Sequence, residues 1–146
     1  MSKPNNHTDL GDVLIRSDLN VPIINNEITD KFRISKSINI INSIYESSRT
    51  ITFTSHLGRP NNNDPNFSLI KIADAMSELL DNEKVMFIDA IYGPKVAEAI
   101  NNKKSKIFLL ENLRFDEGEI NNSSDFAANV TKPFQTYIFD AFGAAH

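Results

Sequence analysis

Five short runs of mostly aliphatic and β-branched residues, with little polar alternation inside them, constrain this chain more than any other feature. They are Asp12 to Arg16 (DVLIR), Thr50 to Thr54 (TITFT), Lys84 to Ile88 (KVMFI), Lys106 to Leu110 (KIFLL) and Thr136 to Asp140 (TYIFD). A strand with one wet face alternates apolar and polar residues. A run that does not alternate suits burial on both faces, as in a parallel sheet. Parallel strands need long crossovers, and helical patterns lie between the runs. Ile34, Ile38, Ile41 and Tyr45 put one apolar stripe on a helix capped by Thr29-Asp30. Ser68 precedes a second stripe of Leu69, Ile72, Ala73, Met76 and Leu80, closed by Asp81-Asn82. Gly93-Pro94 opens a short helix over KVAEAI, and Ser123 or Ser124 caps another over DFAANV before Pro133 stops it. Asn25-Asn26 predicts a small hairpin after the first strand. Strand and helix in regular alternation predict an α/β fold: a doubly wound parallel sheet with helices on both faces, a Rossmann-like three-layer sandwich. One domain over residues 1–146 is expected, with no internal repeat or linker.

In such a sheet, ligands collect beyond the carboxyl ends of the strands. After the first strand stand Ser17, Asp18 and Asn20; after the second, His56, Gly58 and Arg59; after the fourth, Glu111, Asn112 and Arg114; after the fifth, Asp140, Gly143 and His146. The third offers Asp89 and Tyr92. Arg33, near the start of the first helix, can swing back to that edge. The chain has only five arginines, at 16, 33, 49, 59 and 114, and three of them belong to the proposed edge. A guanidinium donates paired hydrogen bonds to a phosphate or carboxylate, which a lysine point charge does not match. Three arginines and two histidines around Asp18 and Asn20 read either as a crevice for a small polyanion or as scattered solvated loops, with Asp18 paired to one of the arginines.

The bulk properties narrow the choice. Net charge is -4, so no overall positive field draws the chain onto nucleic acid or an anionic membrane, and any anion site is local. There are no cysteines, which excludes disulfides, zinc-thiolate sites and thiol nucleophiles and fits a reducing interior. No secretory signal pattern and no run of ~18 apolar residues is present, so a cytoplasmic location is expected. No GxGxxG follows the first strand, and there is no GxxxxGK[ST] or GxSxG. His7, His56 and His146 lack metal-ligand spacing.

Taken together, these segments resemble the phosphoglycerate kinase family. RSDLNVP (Arg16 to Pro22) is similar to its R-x-D-x-N-V-P, ITDKFRI (Ile28 to Ile34) to its I-T-D-x-x-R-I, and TSHLGRP (Thr54 to Pro60) to its S-H-L-G-R-P. LLENLRF (Leu109 to Phe115) with Gly118-Glu119 resembles the family's L-L-E-N-L-R-F and following G-E, and FDAFGAAH (Phe139 to His146) its D-A-F-G-x-A-H. The resemblance implies a glycolytic kinase, a phosphotransferase with a carboxyl acceptor that moves a phosphoryl group between ATP and 3-phosphoglycerate. It also implies site residues. Asp18 and Asn20 would lie at the substrate's hydroxyl and neighbouring oxygens; His56, Arg59, Arg114 and His146 would hold its phosphate end; Leu19, Leu57 and Gly58 would also bind substrate. Arg33 would be the catalytic residue, stabilising the transition state near the carboxylate and the phosphoryl group in flight.

The resemblance departs from the family pattern at Leu19, where phenylalanine is common, a core-sized exchange. It covers only the amino-terminal, 3-phosphoglycerate-binding part of the family's protein. The expectation is that these 146 residues lack the domain that binds ATP or ADP with magnesium, bind no cofactor themselves and do not turn over alone. A typically monomeric family would then leave here an uncovered sheet edge inviting low stability or self-association. A stand-alone binding module for phosphorylated acids is the alternative.

Overall fold

The computed structural model describes residues 9–58, 64–81, 83–120 and 123–140, the side chains of Glu117 and Ile120 apart. Five strands form one wholly parallel sheet: β1 (Gly11–Ser17), β4 (Ser48–Thr54), β5 (Val85–Ile88), β6 (Ile107–Leu110) and β7 (Thr136–Asp140), in spatial order β5-β6-β4-β1-β7. β2 (Ile23–Ile24) and β3 (Glu27–Ile28) make a two-stranded hairpin after β1, turned by Asn25 and Asn26 at φ 53° and 72°. Positive φ at both turn residues is what Asn-rich two-residue hairpins supply.

Successive strand residues feed opposite cores. Val13, Ile15, Ile51, Phe53, Ile107 and Leu109 pack on one face with Ile34, Ile72 and Met76; these come from α1 (Phe32–Ile38) and α3 (Ile70–Leu79). Leu14, Ile88, Phe108 and Leu110 pack on the other with Val96, Ile100, Phe126 and Val130, from α4 (Pro94–Asn101) and α6 (Ser124–Thr131). Two covered faces are the physical reason that the runs do not alternate. Phe108 is fully buried, and cutting it to alanine costs ~3–5 kcal/mol.

The local signals acted much as the sequence implies, with three corrections. Ser123 caps α6, its Oγ accepting from the Phe126 N–H at 3.3 Å, and Pro94 follows Gly93, which takes φ 99°. The first helical stripe, however, is not one helix. It breaks after Ile38 and resumes as α2 (Ile41–Ile44). The Asn39, Asn42 and Ser43 amides donate to carbonyls three residues back, those of Lys36, Asn39 and Ile40, so the chain tightens where Asn39 and the β-branched pair Ile40-Ile41 are poor α formers. Nor does Thr29 cap it: its hydroxyl reaches back to the Pro22 carbonyl, and Asp30 alone accepts from the Phe32 N–H. A short helix, α5 (Glu117–Ile120), stands where no helix was expected.

Candidate active site

All five strands of the main sheet end on the same edge, so the loops after β1, β4 and β6 meet there. Asp18, just past β1, is buried. Its Oδ1 accepts from Arg33 NH1 at 3.2 Å and from the Asn20 N–H at 3.2 Å. The same NH1 donates to the Asn20 carbonyl at 3.0 Å. Arg33 thus returns from α1 to the end of β1, its side chain 44% exposed.

Asn20 carries the connection onward. Its Oδ1 accepts from the Gly58 N–H at 3.0 Å, and the Gly58 carbonyl accepts from Arg114 NH1 at 3.3 Å. Arg33, Asp18, Asn20, Gly58 and Arg114 therefore form one continuous contact series from the β1 end to the β6 end. Gly58 has φ +62°, and a Cβ there would sit 2.5 Å from the Phe67 ring, so only glycine fits the turn.

His56 is half-buried beside this series. Its Nδ1 is buried with no partner among the described residues. Burial, then the positive charges of Arg114 and Arg16, push its pKa below the ordinary histidine value, with Asp18 and Glu119 opposing. A ring beside two guanidinium groups is a place where an anion meets several donors, against the repulsion of Asp18 and Glu119.

Arg16 is the residue that sequence reasoning missed. It lies at the carboxyl end of β1 on the sheet face opposite Ile15 and pairs bidentately with Glu119 of α5, at 2.9 and 3.3 Å. The signal was available in the strand period: the last residues of a strand on either face reach its carboxyl edge.

The sequence model of the phosphoglycerate kinase family matches residues 7–146. The chain belongs to the phosphoglycerate kinase family. Among curated relatives it is 40% identical over 135 residues to the phosphoglycerate kinase of Rubrobacter xylanophilus and 43% identical over 135 residues to that of a Wolbachia strain from Drosophila simulans. Each alignment covers 92% of this chain and 34% of the relative. Crystallised Pyrococcus horikoshii phosphoglycerate kinase superposes with TM-score 0.79 at 28% identity, over 97% of this chain and 36% of that one. The Coxiella burnetii phosphoglycerate kinase gives 0.75 at 31%, over 98% and 35%. The chain spans about a third of the length of the phosphoglycerate kinases it matches.

Of the site residues that the resemblance to this family implied, the structure brings Asp18, Asn20, Arg33, His56, Gly58 and Arg114 together. Leu19 and Leu57 are adjacent but lie in the core, so any part they take falls to their backbone. The Leu19 N–H already donates to Ser55 Oγ at 3.0 Å, and the Leu57 N–H to Asn112 Oδ1 at 3.1 Å. Arg59 and His146 fall outside the described residues. Glu111 and Asn112 prove to be internal fastenings rather than ligand-facing groups. The Glu111 carboxylate accepts from Ser68 Oγ at 2.7 Å and from the Leu69 and Asn112 N–H groups at 2.9 and 2.8 Å.

Proposed function

We propose that this chain supplies the 3-phosphoglycerate site of a phosphoglycerate kinase. The observation that carries this reading is the contact series from Arg33 through Asn20 and Gly58 to Arg114, with His56 beside it, whose buried Nδ1 has no partner among the described residues. Donors outnumber acceptors there, and a small dianion with a carboxylate at its other end restores the balance. In this reading Arg114 and His56, joined by Arg59 and His146, hold the phosphate end, while Asp18 and Asn20 face the hydroxyl. Arg33 stands at the carboxylate. A carboxylate oxygen attacks the γ-phosphorus of ATP, the bond from that phosphorus to the bridging oxygen breaks, and ADP leaves with 1,3-bisphosphoglycerate formed. Arg33 lowers the barrier by meeting charge on the transferring group, without taking or giving a proton.

Magnesium-ATP is held, on this proposal, by parts of a phosphoglycerate kinase outside the described residues, among which no group of three or more His, Cys, Asp or Glu could hold a metal. The 146 residues by themselves then bind but do not turn over. A glycolytic, cytoplasmic setting goes with this reaction. No helix among the described residues is long and apolar enough to cross a membrane.

Self-association through β7 is a further part of this proposal. β7 is an edge strand among the described residues, with Tyr137 51% and Phe139 63% exposed. In a two-fold antiparallel pairing centred on Ile138, Tyr137 of one copy stands opposite Phe139 of the other, twice over, which is the self-complementarity a symmetric contact needs.

Titrating the chain with 3-phosphoglycerate while following arginine and histidine resonances tests the main reading. Saturable shifts at Arg33, Arg114 and His56 are expected. Their absence overturns it.

A further inference from the structure

The last residues paired between β4 and β6 are Phe53 and Leu109. Beyond them the sheet ladder no longer fixes the loop carrying His56 against the loop carrying Arg114. One backbone bond, from the Leu113 N–H to the Ser55 carbonyl at 3.0 Å, and one buried side chain take over. Asn112, 0% exposed, accepts through Oδ1 from the Leu57 N–H at 3.1 Å and the Arg114 N–H at 3.0 Å. Its Nδ2 donates to the Leu57 carbonyl and the Phe67 carbonyl, both at 2.9 Å. A primary amide has two donors and two acceptor sites, and all four are used. No capacity is left for a ligand.

We infer that Asn112 is the positioning residue of this site, setting the offset between His56 and Arg114 without touching the phosphorylated acid. The inference rests on the reading of the site proposed above. Three features support it beyond simple satisfaction of buried groups. Asn112 joins both phosphate-facing loops and the segment leading into α3. The only other contact described between Arg114 and the His56 loop is its 3.3 Å bond to the Gly58 carbonyl, close to the limit for a good hydrogen bond. An apolar residue of similar size leaves two N–H and two carbonyl groups without partners, so only an amide meets the demand. Because binding groups misplaced by about 1 Å can lose on the order of a hundredfold in rate, the amide controls affinity and turnover through geometry alone.

The test uses Asn112→Ala, Asn112→Ser and Asn112→Asp in the 146-residue chain, titrated with 3-phosphoglycerate alongside the wild type, with backbone amide exchange as a second readout. For the first two, affinity falls about tenfold or more and exchange quickens at Leu57 and Arg114. The sheet amides of Val13, Ile51 and Ile107 keep their protection. Asn112→Asp retains the acceptor but sets a second oxygen against two carbonyls. Its affinity relative to wild type recovers towards acid pH, as the carboxyl gains a proton to donate to Leu57 or Phe67, a rescue that a purely structural role would not produce in ligand binding. Wild-type affinity in variants whose Leu57 and Arg114 amides exchange freely overturns the inference. If Asn112→Ala loses the sheet protection as well, Asn112→Ser and Asn112→Asp decide. No saturable shift in the wild type itself sinks the site reading first, and the inference with it.

Discussion

The two ends of the sheet carry the same pair of residue types and use them in opposite ways. At the amino end, buried Asp12 accepts from Arg49 NH1 at 2.9 and 3.1 Å and from Thr50 Oγ1 at 2.7 Å. Arg49 then spends its remaining reach on the carbonyls of Ile100 and Asn101, at 3.1 and 2.8 Å, where α4 ends. A cation at a helix carboxyl terminus with every neighbour matched is architecture. At the carboxyl end, Asp18 takes one NH1 of an exposed Arg33, Arg114 leans on a single carbonyl, and His56 Nδ1 has no described partner. An aspartate-arginine pair therefore says little by itself. Surplus donors around it distinguish the end at which the ligand is proposed to bind.

This contrast breaks most visibly at Arg33. In a full-length phosphoglycerate kinase carrying these residues, Arg33→Ala should cut kcat on the order of a hundredfold, about 3 kcal/mol of lost transition-state stabilisation, and lower the unfolding midpoint only slightly, since Asp18 keeps the Asn20 N–H. Near-normal turnover removes Arg33 from the chemistry. Asp12→Ala should do the reverse: a loss of about 2 kcal/mol in urea unfolding, moderated because Arg49 is 41% exposed, and unchanged affinity for 3-phosphoglycerate. If ligand affinity falls instead, the two ends are not separate in function.

The pH dependence of His56 sharpens the comparison by a smaller amount. Its folded pKa lies below its unfolded one, so between the two values the unfolded chain binds more protons. Stability is whole above the ordinary histidine value of 6.5 and declines as pH falls through that value toward the folded pKa. The ring's titration by NMR should fall below 6.5 in the free chain and move upward when 3-phosphoglycerate is added; a midpoint indifferent to ligand places the phosphate elsewhere. The smallest effect is expected at the β7 edge. Tyr137→Lys should raise the monomer fraction in sedimentation at high protein concentration, and an unchanged distribution excludes β7 as the contact.

Much of this was legible because burial on two faces leaves a continuous apolar signature. β7 coincides with the run TYIFD, and the other four strands lie within two residues of theirs. The site was legible to the extent that carboxyl strand ends converge in any parallel sheet, which gathered Asp18, His56 and Arg114 from distant segments. The rest was not. The break at Asn39 comes from crowding that an apolar stripe does not register, since Ile34, Ile38 and Ile41 are all buried despite it. Arg16 sat inside a strand run and read as its boundary, although its partner Glu119 lies 103 positions away. Asn112 stood at the right strand end but with no role assigned to it. Residue type shows that an amide can bond four groups, while only the folded chain shows that all four are backbone.

Gly58 has a genetic corollary. Any missense change there adds at least a methyl carbon, which meets the Phe67 ring at 2.5 Å in a left-handed backbone. In a saturation scan this codon should therefore accept synonymous changes alone, and a second-site suppressor, if one arises, should map to a smaller residue at Phe67.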